Sequence, residues 1–588
     1  MFEDLLKAAK ALKKSHSPPE IPEALSRAIP SEAALQHVKS LLESDDADPV
    51  ARLWATYAIV KNGKLIQPDD AGRDAETAAL RDIAVAVGEL MAPVCSGTSL
   101  DEEDDDTDCA LLALKGSLGL HILDQLTKAH PSALTLQAQS LISIVAFTDP
   151  TDPWTTPATS HLARAVLEAH FRNPSPSLSP SPTSASNTTR NRTPENQARP
   201  TEQNDALTRF ITEDVLSSFL RGLFAKTPRP ATVTASGRKA EFVQRTRYDH
   251  RGGETEEAAD AKPWKYARRY AVTVFAWAVE RADQPLLQKH WHKYTPILLT
   301  LLDEPPRAHP STPTTPSLRV RALHILRTFW ARCPPGLMRD TGLADVLEQA
   351  VFPTVLYLPG LTPEDEAVAL LGAAYPALFE MAGVVGPPQT QQEDADDGSD
   401  DADGGGENMQ GNREFTDAQR RLLDKIVRQG IMVGYHHAKG HVRLVELFCE
   451  KLRCLVNGMG ILAIKYLKDF MPMVSEIMTD PFGTKHPPAL LSATKLLQAI
   501  LRACWPRIPH YCNEVIKILM LCWLNIEDEE LYPAGSPTPT EVRAELTKTA
   551  EMLSATMMAA RVDMTERVGT LIEKEPDLRS LFKSAEAT

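Results

Sequence analysis

The sequence predicts an all-α fold built from stacked helical hairpins, and three observations lead to that class. Apolar residues recur at three- and four-residue spacing along most of the chain, as they do on one face of a helix. Alanine and leucine dominate these stretches while aromatic residues are only 6% of the chain, which favours helices over strands. No alternation of Val and Ile between hairpin turns competes with this pattern. Such hairpins bury their apolar faces by stacking on neighbours.

The helices can be placed in order along the chain. The first is amphipathic, and its apolar face carries Phe2, Leu5, Leu6, Ala9 and Leu12. Helical periodicity then predicts further segments at 111–126, 207–224, 263–280, 285–302, 318–333, 364–381, 418–433, 443–456, 490–505 and 514–523.

Two regions resemble each other and indicate a repeat. Residues 294–303 lead through a Pro-rich turn into 320–326, and residues 470–480 lead into 492–497. Each pair has a proline early in its first helix, an aspartate near its end, and a second helix rich in Ala and Leu. This is the pattern of a HEAT repeat, whose helix pairs stack into a solenoid. The expected fold is therefore a HEAT-like α-solenoid with disordered insertions.

Low-complexity segments divide the chain into predicted regions. Stretches with almost no apolar residues cannot offset their ordering entropy by burial, so we predict them to be disordered. The predicted order is an N-terminal helical region 1–172 with an acidic loop 97–108, a disordered Ser/Pro-rich linker 173–204, a HEAT-like region 205–386 with a polar loop 226–262, an acidic disordered insertion 387–413, and a C-terminal HEAT-like region 414–588.

Charge and composition narrow the classes of function. The formal net charge of −15 argues against a nucleic-acid binder, which must offset phosphate charge. No apolar run is long enough to span a bilayer, and the N-terminus lacks the apolar core of a signal peptide. The 8 cysteines are scattered through helical patterns, as expected for reduced, buried thiols. We therefore expect a soluble cytoplasmic and nuclear protein that contacts neither membrane nor nucleic acid.

One group of residues admits a metal-site interpretation. His437 and His441 have the spacing of a helical zinc-ligand pair, and Cys449 and Cys454 follow them. However, Ala438 stands where a zinc protease would have glutamate, and cysteines five apart on a helix point about 140° from each other. Cysteines with a purely structural role are therefore favoured, and no metal ligand is predicted.

A second motif admits a nucleotide-site interpretation. Residues 458–463 match the G-x-G-x-x-A fingerprint, but this fingerprint needs a preceding strand, and 443–456 is predicted to be a helix. Asn457 and Gly458 are better interpreted as a helix C-cap. No Ser/His/Asp set, P-loop or HExxH motif is found elsewhere. We expect no catalytic residue and no cofactor.

The segment 504–508 is a compact corner between two predicted helices. Proline at 506 ends the first helix, and a further proline can open the next one. We expect Cys504 and Trp505 to pack in the corner, and Arg507 to bond the free carbonyls at the helix end. Because Trp and Arg are enriched at interface hot spots, Trp505, Pro506 and Arg507 are also candidates for a partner interface.

Another corner contains the candidate partner patch Tyr357, Leu358 and Pro359. The helix that follows has a strong predicted start, with Thr362 as the N-cap, Pro363 as the first helical residue and acids in the first turn.

Two serines lie in acidic contexts that suit an acidophilic kinase. Ser99 precedes the acids at 101–103, and Ser399 precedes acids at 400, 401 and 403. Phosphate there would add charge that a basic pocket on a partner could bind. The alternative is that these runs are solvated spacers that keep the chain soluble.

Three motifs occur together in an order that resembles a known family. They are Val355-Leu356-Tyr357-Leu358-Pro359 with Thr362-Pro363-Glu364, then 460–467 with Lys465-Tyr466-Leu467, and then Cys504-Trp505-Pro506-Arg507-Ile508. Over about 264–523 the chain resembles the Tel two interacting protein two family, and the Trp-Pro-Arg corner is the most specific part. Its Ser/Pro-rich and acidic insertions suit a filamentous-fungal member.

The resemblance implies a non-enzymatic scaffold subunit of the Triple T co-chaperone complex, bound to the two other subunits. Through that complex it would act with the ninety-kilodalton heat-shock chaperone. The clients would be phosphatidylinositol-kinase-related kinases, including those of DNA-damage and TOR signalling. The family's phosphoserine motif lies on another subunit, and Ser399 departs from it, so no adaptor role is carried over to this residue.

Two alternatives stay open at this point. A generic HEAT-repeat adaptor, for instance in nuclear transport, would bind a small GTPase or cargo peptides. A hidden enzyme would rest on the His437 and His441 pair alone, and zinc analysis of the pure protein would test it.

Overall fold

A computed structural model describes residues 3–12, 18–29, 32–44, 48–62, 64–66, 73–95, 102–130, 134–172, 205–225, 262–304, 317–334, 336–384, 415–527 and 539–582. Helices make up most of this part of the chain, which confirms the all-α class. One small exception is a three-residue parallel pair, β1 (Glu32–Ala34) with β2 (Lys64–Ile66). The predicted linker 173–204, the insertion 387–413 and the polar loop 226–262, apart from its last residue, lie outside the described residues.

The elements before residue 303 are almost all α-helical. They are α1 (Glu3–Lys10), α2 (Glu23–Ser26), α3 (Leu35–Glu43), α4 (Pro49–Asn62), α5 (Arg73–Met91), α6 (Glu102–Ala129), α7 (Ala138–Val145), α8 (Pro157–Arg172), a first π-helix (Phe210–Leu220), α9 (Arg221–Phe224), α10 (Ala271–Arg281) and α11 (Gln284–Leu302).

The later elements add short 3₁₀ turns at the corners. The helices are α12 (Leu318–Arg332), α13 (Leu337–Asp340), α14 (Leu343–Val351), α15 (Glu364–Met381), α16 (Asp417–Lys425), a second π-helix (Ile426–Met432), α17 (Val433–Ala438), α18 (Val442–Met459), α19 (Leu467–Met478), α20 (Pro487–Ala503), α21 (Ile508–Glu527), α22 (Pro539–Ala559) and α23 (Thr565–Lys574). The 3₁₀ turns are Phe352–Leu356, Gly460–Tyr466, Gly483–Lys485, Trp505–Arg507 and Pro576–Ser580.

The described chain packs as two compact units. The first contains Met1–Asp303 and Arg332–Asp340, and the second contains Ser317–Ala331 and Thr341–Thr588. The predicted region 205–386 is therefore shared between the units, and the predicted linker 173–204 does not separate them. The reason is aromatic packing: Phe171 of α8 lies 5.6 Å from Phe210 and 6.4 Å from Trp277, measured between ring centroids.

In the first unit the helices stack in two rows. One row contains α4, α6 and α8, and the other contains α3, α5, α7 and α10. The core between the rows includes the fully buried side chains of Trp54, Tyr57 and Phe147. The stacked pairs are those expected of HEAT-like hairpins.

The second unit repeats this two-row arrangement. One row contains α15, α18, α20 and α22. The other row contains α19 and α21. The helical segment formed by α16, the second π-helix and α17 lies beside α19 in this row, because Tyr435 and Lys439 bond to Glu476 of α19. Phe448 and Phe470 are fully buried between the rows. No helix in the described ranges is long and apolar enough to cross a membrane.

Two sequence predictions about local structure are wrong. The part of the predicted acidic loop 97–108 that the structure describes is helical, since α6 begins at Glu102. Residues 263–270 form turns and not the start of a helix. There, the ring of Trp264 is fully buried and stacks on Phe224 at 4.9 Å, so tertiary packing overrides the helical periodicity.

Candidate functional site

The corner before α15 only partly matches the predicted patch. Tyr357 is half-buried, and Arg319 holds it by donating a hydrogen bond from Nη1 to the Tyr357 hydroxyl (3.1 Å) and stacking 5.0 Å above its ring. Leu358 is only 9% exposed, so it belongs to the core and is not available to a partner. The exposed apolar side chains here are Leu356 and Leu361, which is 85% exposed. Helical periodicity could not identify them, because they lie in a turn.

The predicted N-cap of α15 is also wrong. The helix begins at Glu364, and Pro363 occupies the capping position without a side-chain cap. Thr362 is buried and its hydroxyl forms no hydrogen bond in the described structure. The helix start is instead stabilised by its acidic first turn: Glu364 lies 3.0 Å from the Nδ1 of His441, and Asp365 pairs with an arginine on α18.

The corner Gly460–Tyr466 is fixed to α16 by one carboxylate. Asp424 accepts a hydrogen bond from Lys465 Nζ at 2.6 Å and another from the Tyr466 hydroxyl at 2.8 Å. Burial alone would raise the pKa of Asp424, but the two hydrogen bonds and the positive charges of Lys465 and Arg428 lower it below its ordinary value. Lys465 and Tyr466, predicted as partner-interface or family-motif residues, therefore hold the corner to the rest of its own chain. The exposed apolar residues of this corner are Ile461 (49%) and Leu462 (40%).

The Trp505–Arg507 corner matches the predicted packing of Cys504 but not that of Trp505. Cys504 is completely buried and closes the corner, as expected. Trp505, in contrast, is 54% exposed, and Pro506 and Arg507 are also exposed. Because the buried thiol already fills the corner, the 3₁₀ turn carries the indole outward. Arg507 makes no side-chain hydrogen bond to a described residue, so its predicted capping role is wrong.

Two of these corners lie at the same end of the second unit. Helices joined by short turns run antiparallel, so α18 and α20 are parallel, and the turns that follow them share one end. The corner before α15 lies at the opposite end, because Glu364 contacts His441 at the start of α18 while Val384 contacts Gly458 near its end. We call the surface formed by Ile461, Leu462, Trp505, Pro506 and Arg507 the apolar end.

An open slot separates the second π-helix from α19. It has a volume of about 520 Å³ and is lined by Arg428, Met432, Lys465, Lys468, Asp469 and Pro472. We call it the inter-helix slot.

Polar bridges flank the slot at both ends. The hydrogen bonds of Lys465 and Tyr466 to Asp424 lie at one end. At the other end Glu476 accepts hydrogen bonds from Tyr435 (3.0 Å) and Lys439 (2.9 Å). The hydrogen bond from Lys439 is the main reason that the pKa of Glu476 lies below its usual value. Both bridging carboxylates are therefore ionised and engaged at neutral pH.

The described residues contain no group of three or more His, Cys, Asp or Glu side chains that could hold a metal ion. His441 of the suspected zinc pair contacts Glu364, while Cys449 is fully buried and Cys454 half-buried. Burial raises the pKa of Cys449 to about 12. A nucleotide site at 458–463 also has no support, since α18 continues through Gly458 to Met459 and Gly460 is its C-cap. Ser99 and Ser399 lie outside the described residues.

Burial also raises the pKa of Cys504 to about 12, which predicts an unreactive thiol. At pH 8 such a thiol is ionised in about one molecule in ten thousand, against about one in four for a free cysteine. We expect iodoacetamide to alkylate Cys504 at least about a hundredfold more slowly in the native protein than in urea. Peptide mass spectrometry would measure the rates, with half-buried Cys454 as the internal reference. Native alkylation of Cys504 as fast as that of Cys454 would contradict its packing role.

Stacked helix pairs, here with exposed apolar corners and an open inter-helix slot, define the class of helical-repeat proteins. Within that class the chain belongs to the Tti2 family, the Tel two interacting protein two family, whose model matches residues 140–485. The match includes Tyr357 to Pro359 as well as Lys465 and Tyr466. It begins well before residue 264, where the resemblance was expected to start, and it ends before Trp505.

The other comparisons add little. The comparison with curated proteins gives no match. Among solved structures, the chain is similar to Kap121p bound to Pho4p (11% identity, 92% of this chain and 48% of that chain, TM-score 0.36). It is also similar to importin beta (11% identity, 99% of this chain and 63% of that chain, TM-score 0.39). A third similar structure is Kap121p bound to Ste12p (12% identity, 97% of this chain and 52% of that chain, TM-score 0.36). The chain thus spans less than two thirds of the length of each.

Proposed function

We propose that this protein is a non-enzymatic scaffold subunit of the Triple T co-chaperone complex, which it joins by binding the two other subunits. Membership of the Tti2 family carries this proposal, because the family match extends over residues 140–485 and reaches into both compact units. Through the complex the protein supports the folding, stability and assembly of phosphatidylinositol-kinase-related kinases with the ninety-kilodalton heat-shock chaperone. Its place of action is the cytoplasm and the nucleus.

We assign a subunit interface to the apolar end. Ile461, Leu462 and Trp505 expose apolar surface on neighbouring corners, and Arg507 next to them makes no side-chain hydrogen bond within the described chain. A tryptophan and an arginine beside exposed aliphatic side chains are the composition of an interface hot spot. At the opposite end, Leu356 and Leu361 are exposed on one corner and Phe482 on another, and the turn between α17 and α18 separates these two corners.

Affinity purification of the endogenously tagged protein at moderate salt, with quantitative mass spectrometry, tests the proposed function. We expect near-equimolar recovery of the two other Triple T subunits and substoichiometric recovery of the giant kinases. Depletion of the protein should lower the abundance of those kinases, because a scaffold acts on their maturation.

Two results would contradict the assignment. One is recovery of a small GTPase, importin cargo or no partner in place of the two subunits. The other is unchanged kinase abundance after depletion, which would separate the protein from kinase maturation even if the complex forms.

A further inference from the structure

The inter-helix slot departs in charge from the rest of the molecule. The chain has a formal net charge of −15, yet the slot is lined by Arg428, Lys465 and Lys468 and by one carboxylate, Asp469. The carboxylates at its two ends, Asp424 and Glu476, are each paired with a lysine, so Arg428 and Lys468 outweigh Asp469. An excess of positive charge between two low-dielectric walls concentrates anions. The slot therefore favours a negatively charged occupant.

Two of the three cations are available to such an occupant. Lys465 Nζ lies 2.6 Å from Asp424 and neutralises most of the charge of this carboxylate. Arg428 lies 4.0 Å from the same carboxylate and is therefore held only weakly by it. Lys468 forms no ion pair with any residue in the described ranges, and both Arg428 and Lys468 are exposed. They lie on opposite walls of the slot, one on the second π-helix and the other on α19. An anionic group between the walls could contact both.

Both walls also depart from regular α-helical geometry. The wall that carries Arg428 and Met432 is π-helical, a conformation that is rare and frequent at functional sites. The opposite wall contains Pro472 inside α19, so the carbonyl of Lys468 cannot receive the usual i to i−4 hydrogen bond from residue 472. Met432 and Pro472 add an apolar surface between the charged groups. The slot thus combines cations with a small apolar contact area.

We propose that the inter-helix slot binds an acidic peptide segment of a partner protein, in which Asp or Glu residues flank one apolar side chain. The carboxylates bind Arg428 and Lys468, and the apolar side chain packs on Met432 and Pro472. From Tyr466 to Glu476 the chain advances by ten residues, or about 15 Å of helix, which is the length of four or five extended residues. This inference does not rest on the co-chaperone role, since it follows from the slot alone.

A random decapeptide display library, panned on the purified full-length protein, tests the proposal. We expect selected peptides to be enriched in acidic residues around one apolar position. The double variant Arg428→Glu/Lys468→Glu should lose that enrichment, and should bind a selected peptide at least about tenfold more weakly by fluorescence polarisation, because attractive pairs become repulsive. Lys517→Glu is the matched control, since Lys517 is an exposed lysine on α21 that does not line the slot.

The outcomes separate the slot from general charge effects. Binding that survives in the double variant, or that Lys517→Glu weakens equally, would overturn the proposal, as would a library that yields no acidic preference. If deletion of residues 393–403 makes a selected peptide bind markedly more tightly, the chain's own acidic stretch is the occupant and a partner segment is not. A neutral version of the peptide, with Gln and Asn in place of Glu and Asp, should not bind.

Discussion

Replacement of Trp505 by alanine is expected to weaken binding to the other Triple T subunits by about thirtyfold while leaving the protein folded. Truncation of a tryptophan hot spot costs about 2 kcal/mol or more of binding free energy, and each 1.4 kcal/mol is a factor of about ten. The indole is 54% exposed and lies in a corner that Cys504 already fills, so its loss opens no cavity in the core. Biolayer interferometry with the co-purified partner subunits would measure the dissociation constant.

Phe482→Ala provides the matched control for this prediction. Phe482 is a large aromatic side chain that is 69% exposed, and it lies in the turn after α19, at the opposite end of the same unit. We expect its replacement to change the affinity by less than about twofold. If Phe482→Ala weakens binding and Trp505→Ala does not, the interface lies at the other end and the assignment of the apolar end is wrong. Circular dichroism melts of both variants would verify that each is folded.

The helices themselves could be predicted from the sequence because periodic burial determines them. The predicted segment 364–381 coincides with α15, and its buried residues, such as Leu370, Ala374 and Leu378, recur at the spacing of one helix face. The prediction that each first helix of the repeat contains a proline is also confirmed, since Pro296 lies inside α11 and Pro472 inside α19. Which helices stack on each other depends on contacts between residues far apart in the sequence, so local periodicity does not predict it.

The candidate site was less predictable because it lies where periodicity ends. Leu358 and Trp505 are both apolar residues in corners, yet one is 9% exposed and the other 54%. Nothing in their local sequence distinguishes them, since exposure in a turn depends on which neighbour fills the corner. The inter-helix slot was missed for a related reason. Its walls come from a π-helix and a proline-containing helix more than thirty residues apart, and propensities do not identify a π-helix.

Replacement of Gly458 by alanine is expected to destabilise the second unit by about 1–2 kcal/mol. A β-carbon at this position would lie 2.3 Å from Cγ1 of Val384, so the contact between the end of α18 and the chain after α15 must open. Overpacking of this kind costs about 1–3 kcal/mol, of which up to about 1 kcal/mol is regained by the helix propensity of alanine. The glycine that resembled part of a nucleotide fingerprint is thus required for close helix packing. Urea unfolding followed by circular dichroism would measure the change.

Gly569→Ala tests the same substitution without the steric contact. Gly569 lies in the exposed part of α23, and a β-carbon there would meet no atom within 4 Å, so we expect stabilisation of up to about 1 kcal/mol. Val384→Ala should recover part of the loss when combined with Gly458→Ala, because it removes the methyl group that clashes, and contacting residues show non-additive effects. Equal shifts for the two glycine variants, or strictly additive effects of Gly458→Ala and Val384→Ala, would show that helix propensity alone sets the effect of the substitution and that packing does not require glycine at position 458.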